Sequence, residues 1–107
     1  MPKISRNKLS FEMNELILKR LVQAFTRINR EDELDKLLKN LLTGTERIML
    51  AKRINIAMLL EGGSSYEEIS RKLKVSHATI SFVRQVLLGE GRHYKELIGG
   101  LNKILGI

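Results

Sequence analysis

Residues 65–87 read SYEEISRKLKVSHATISFVRQVL, and the spacing of caps and apolar residues in this stretch decides the fold. Ser65 and Glu68 stand at the interval of a capping box, where hydroxyl and carboxylate each satisfy a free backbone N–H of the first helical turn. A short helix is expected from Tyr66 to Leu73. Ser76 is a second N-cap, opening another helix through Thr79, Ile80, Val83 and Leu87. Ile69, Leu73, Val75, Ile80 and Val83 are the positions that two helices joined by a short turn must bury, at the spacing of a DNA-binding helix-turn-helix. Ser70 supplies the small residue where the helices touch most closely. Lys74 stands where such turns often carry Gly, which costs about 1 kcal/mol if the backbone there is left-handed.

With Ile80, Val83 and Leu87 directed inward, the second helix presents His77, Ala78, Ser81, Phe82 and Gln85 on its opposite face, with Thr79 and Arg84 on the flanks. Hydroxyls and imidazole can donate or accept, Gln85 can pair bidentately with adenine, and Ala78 can touch a thymine methyl. His77, Ala78, Thr79, Ser81, Phe82 and Gln85 are therefore the candidate base contacts. Arg71, Lys72, Lys74 and Arg84 surround them as candidate phosphate contacts, which fix register without reading sequence.

The rest of the chain is helical in period, with its one Pro at position 2. The expected fold is all-α, in a single domain over 1–107. A first helix from about Ser10 to Ile28 carries a stripe of Leu18, Leu21, Val22, Phe25 and Ile28, while Phe11, Met13, Leu16 and Ile17 fall partly outside it. A second is marked by Leu34, Leu37, Leu38, Leu41 and Leu42 at helical spacing, with Glu31, Asp32 and Glu33 at its positive end. Thr43 and Glu46 form another capping box, opening a third helix that ends at Gly62-Gly63 and is apolar around most of its circumference. The surplus apolar surface of the first and third helices predicts a homodimer, with the helices of about 10–62 at its interface.

Across 107 residues, Lys plus Arg number 19 against 12 for Asp plus Glu, which favours a polyanionic partner such as double-stranded DNA. Cysteine is absent, so disulfides and thiolate metal sites are excluded and a reducing cytoplasm fits. The opening MPKISRNKLSFEMNE lacks the apolar core of a signal peptide, and no apolar run reaches the ~20 residues of a membrane span. Lys3, Arg6 and Lys8 are expected to form a solvated basic tail. Paired carboxylates, a Gly-rich phosphate loop and a nucleophile elbow are missing, and His77 and His93 stand alone, so neither catalysis nor a metal or cofactor is expected. Arg20, Arg27, Arg47, Lys52 and Arg53 could in a small all-α dimeric enzyme stabilise an anionic transition state, but the inner face of the first helix offers only Leu, Val and Phe beside them. A helical protein-interaction module without DNA contact is the other alternative.

Residues LLTGTERIMLAKR (41–53) followed by LLEGGSSYEEISRKLKVSHATIS (59–81) resemble the tryptophan repressor superfamily, particularly its repressor-like branch from Gram-positive bacteria. The motifs L-T-x-x-E-R, a glycine stop, S-x-x-E-[IL] and A-T-I-[ST] occur in order, and the likeness is strongest over residues 34–88. It implies an intertwined dimer of six-helix chains, with the fourth and fifth helices reading DNA and a last helix over about 92–104 closing the dimer. Two reading helices would then lie one DNA turn apart, ~34 Å, and favour a pseudo-palindromic operator. In tryptophan-sensing members the ligand ring lies between an arginine of the third helix and one of the reading helix, near a threonine that opens the third helix. By that resemblance Thr43, Arg53 and Phe82 mark a possible effector pocket. Phe82 replaces the second arginine, while Val83 and Val86 replace a glycine and a serine, removing a cation and filling space. The interval from Arg53 to Leu59 is also one residue shorter. Tryptophan is therefore not expected to bind, and no other effector is assigned.

Overall fold

The computed structural model describes residues 8–89 and 92–106, and these are all-α: α1 Phe11–Thr26, α2 Glu31–Leu41, α3 Gly44–Glu61, α4 Tyr66–Leu73, α5 His77–Leu88 and α6 Arg92–Leu105. Lys3 and Arg6 of the basic run lie outside the described residues; Lys8 is exposed. Backbone contacts group the chain into two units, Met1–Arg47 and Ile48–Ile107.

In the first unit, the Ser10 hydroxyl caps α1 by accepting the Met13 N–H. The helix stops at Thr26, short of Ile28: the Thr26 hydroxyl donates back to the Gln23 carbonyl, and Ile28 N–H bonds to Phe25 in a tighter turn. No residue of α1 or α2 is buried. Arg30, just ahead of α2, grips Asp32 through two bonds of 3.2 Å, so one of the three acidic residues at the positive helix end is shared with a cation. The capping box that opens α3 is complete. Glu46 Oε1 accepts the Thr43 N–H at 2.8 Å and Thr43 Oγ1 accepts the Glu46 N–H at 3.1 Å. Hydrogen bonding to the Thr43 backbone, then to its side chain, holds the Glu46 carboxyl below its usual pKa. Its contribution to the cap is present above the unfolded-state pKa and is lost as pH falls through the lowered folded-state value.

In the second unit, the core is Ile56, Ala57 and Met58 of α3, Ile69 of α4, Ile80, Val83 and Leu87 of α5, and Ile98 of α6. The α3 helix ends as its glycines require. Gly63 adopts φ 91°, and the bonds from Gly63 N–H to Leu60 and from Ser64 N–H to Leu59 make a Schellman cap. Only three consecutive residues of α3 are buried, whereas Ile48, Met49, Leu50 and Ile54 remain exposed within the chain. The capping box at Ser65 is one-sided: Ser65 Oγ accepts the Glu68 N–H, but Glu68 Oε1 takes the Ser65 hydroxyl rather than its backbone N–H.

Lys74 has φ 55° and ψ 53°, the left-handed conformation expected of the turn. Lys74→Gly should accordingly raise the unfolding free energy by about 0.5–1 kcal/mol, since relief of the Cβ clash outweighs the greater chain entropy of Gly. A denaturant midpoint equal to or below wild type would argue against that balance.

Candidate nucleic-acid interface

The α4–turn–α5 unit is held from both sides of the turn. Ile69 and Ile80 have no solvent exposure and meet between the helices, while Leu73 and Val75 are half-buried at the margin. Ser70 does more than fit a close contact: its hydroxyl donates to the Val75 carbonyl at 2.7 Å, satisfying a turn acceptor that neither helix can reach. Ser76 then caps α5 by accepting the Thr79 N–H at 3.2 Å, and its hydroxyl shares a 3.0 Å hydrogen bond with that of Thr79. The backbone of the turn and the start of α5 are thus fixed by local hydrogen bonds.

Of the residues expected to face outward on α5, His77, Ala78, Thr79, Phe82 and Gln85 are exposed, whereas Ser81 is half-buried. His77 is not a free imidazole. Its Nε2 lies 3.8 Å from a Glu67 carboxylate oxygen, and its ring meets the Tyr66 ring edge-on at 5.8 Å, so α4 holds it against the first turn of α5. Arg71, Lys72, Lys74 and Arg84 are all exposed, and among the described residues none forms an ion pair. Four uncommitted cations therefore flank a short polar helix face.

The residues of the possible effector pocket divide. Arg53 and Phe82 come together: the guanidinium carbon stands 5.9 Å from the centre of the Phe82 ring, in cation–π range. Thr43 belongs to the first unit, where its hydroxyl and N–H are both used in the cap of α3. Val83 is buried in the core and so does not line a ligand space, while Val86 is exposed. Tyr94 of α6, half-buried beside α3, has its phenol pKa raised by burial, an effect the Arg53 charge partly offsets.

The family of the Trp repressor protein matches residues 17–101, a span that includes all of α2 to α5 and most of α1 and α6. The chain belongs to the Trp repressor family. That family is one of DNA-binding transcriptional regulators. No curated protein and no solved structure gives a significant match. Among the described residues no helix is long and apolar enough to cross a membrane, and no cluster of His, Asp or Glu could hold a metal ion.

Three features of this Trp repressor family chain escaped the sequence reading. The Ser70–Val75 bond and the Tyr66–His77 contact link residues whose types gave no hint of pairing. Asn102 of α6 is buried and donates from Nδ2 to the Met58 carbonyl of α3 at 2.9 Å, and its Oδ1 is buried without a partner among the described residues. A signal for Asn102 existed in the apolar register Ile98, Leu101, Asn102 and Leu105, in which it is the one polar residue.

Proposed function

We propose that the chain is a cytoplasmic homodimeric repressor that reads a pseudo-palindromic operator with α5 and blocks promoter DNA by occupying it. The observation that carries this reading is the exposed α5 face together with the exposed Arg71, Lys72, Lys74 and Arg84, none of which forms an ion pair among the described residues. Ala78, Thr79 and Gln85 are the base-contact residues best presented, with Phe82 under the Arg53 guanidinium and His77 and Ser81 more constrained by neighbours. The cations set affinity and register through the phosphates. A second copy of the chain accounts for the bare apolar residues, among them Phe11, Leu18 and Val22 of α1, Ile48 of α3 and Leu97 and Ile104 of α6, which are all more than half exposed. A two-fold dimer in turn demands a two-fold operator.

The test is selection of bound duplexes from a random pool at physiological salt, with no small molecule added. Enrichment of a two-fold symmetric motif is expected and would establish a reader that needs no tryptophan. Recovery of unselected sequence would contradict it. On the selected duplex, Arg71→Ala should weaken binding to specific and random DNA alike and reduce the slope of log affinity against log salt by about one unit. Thr79→Ala should instead relax preference at one base position. Equal losses on both duplexes for Thr79→Ala would undo this division of roles.

A further inference from the structure

The α5 helix is seated on the core through Ile80, Val83 and Leu87, one side of its circumference. Phe82 lies about 100° around the helix from Val83, away from that seat, and 56% of it is exposed. An aromatic ring so placed gains little from burial, yet it is not unattended: the Arg53 guanidinium of α3 stands over it at 5.9 Å. Arg53 makes no ion pair among the described residues, so no carboxylate draws it off the ring. Its charge also reaches Tyr94, which ties the same cation to the neighbourhood of α6.

We propose that Arg53 and Phe82 form a clamp internal to the chain, which fixes the rotation of α5 about its own axis and so sets the reading helix for DNA without a bound small molecule. The proposal rests on the DNA-reading function proposed above and names how that site is regulated: the chain supplies its own positioning group. The packed side of α5 constrains where the helix lies. A contact on a second side constrains how far it can roll, and a roll of a few degrees displaces base-contacting atoms from hydrogen-bond range. Arg53 and Phe82 are thus positioning residues.

The experiment uses the duplex selected by the wild-type chain and a random-sequence duplex, with affinities read by fluorescence anisotropy over a range of salt and without added ligand. Arg53→Gln and Phe82→Leu should each weaken binding to the selected duplex by about two- to fivefold per reading helix, the worth of an exposed cation–π contact. The double variant should bind no worse than the weaker single, because either change alone opens the clamp. Phe82→Tyr, which keeps the ring face, should restore wild-type affinity, and the salt slope of Arg53→Gln should match wild type. Additive losses overturn the proposal, as does a reduced salt slope in Arg53→Gln, which would make that residue a phosphate contact. Unchanged affinity in both singles overturns it too. A wild-type chain that selects no duplex removes the DNA reading and the clamp with it, whereas one that selects a duplex and shows additive losses removes the clamp alone.

Discussion

Ile80→Ala is expected to lower the unfolding free energy by about 2–5 kcal/mol, a large part of the roughly 5–15 kcal/mol that a domain commonly has. Ile80 has no solvent exposure and shares its cluster with Ile56, Ala57 and Met58 of α3, Ile69 of α4 and Ile98 of α6. Removing its outer carbons therefore leaves a cavity walled by three other helices. The loss should appear as a fall in melting temperature of roughly 10–30 °C at fixed protein concentration, whereas Ile80→Val should cost only about 0.5–1.5 kcal/mol. The neighbouring Thr79 is exposed. Thr79→Ala should thus impair reading of DNA while leaving the fold within about 0.5 kcal/mol of wild type. Thermal unfolding by circular dichroism separates the two, and an Ile80→Ala loss below 1 kcal/mol would mean that the cluster is not the core.

The caps and the turn were legible because their physics is local. A hydroxyl three residues ahead of a carboxylate, a Gly after an apolar run and a small residue at a helix crossing each specify a backbone conformation within a few residues. The left-handed Lys74, with its φ of 55°, shows the tertiary demand of the turn overriding the residue's own preference. The end of α1 was read two residues too far, because Ile28 continues the apolar stripe while Thr26 turns its hydroxyl onto the backbone. Apolar period identifies a face that water disfavours, and it is silent on what covers that face. Hence α3 reads as buried on several sides, yet in the chain only Ile56, Ala57 and Met58 are.

The candidate interface divides on the same principle. Its outward face followed from the inward register of Ile80, Val83 and Leu87, and the exposed Ala78, Thr79, Phe82 and Gln85 obey it. Ser81, half-buried, departs from it, and the remaining surprises are contacts across elements. Glu67 and Tyr66 on α4 hold His77, and Arg53 on α3 covers Phe82, through contacts that no single helical period encodes. Val83 stood in two registers at once, as a core position and as a ligand-lining position by resemblance. Burial decides for the core.

Asn102→Asp should be the most pH-sensitive substitution in the chain. The Asn102 amide donates to the Met58 carbonyl, which also accepts the Gly62 N–H at 3.0 Å, so α6 is joined to the last turns of α3 by a shared acceptor. An ionised Asp there would turn a carboxylate towards that carbonyl with no donor in exchange, in a position only 6% exposed. Its folded-state pKa must rise above the unfolded value, by about 3–5 units if desolvation is complete; at pH 7, about 3 units above the unfolded pKa, the loss of stability is then about 4 kcal/mol. A raised folded-state pKa means that the native state binds the extra proton, so stability falls as pH rises through the window between the two values and recovers on acidification. Once protonated, the Asp hydroxyl can itself donate to Met58, and near pH 4 the variant should approach wild type. Asn102→Leu, which removes both the donor and the unpartnered Oδ1 and leaves Met58 bonded to Gly62, should cost about 1 kcal/mol or less at every pH. Urea unfolding of the three proteins from pH 4 to pH 8 distinguishes the cases. A deficit in Asn102→Asp that stays constant over that range would mean that the carboxylate finds water, and that α6 is not sealed against α3.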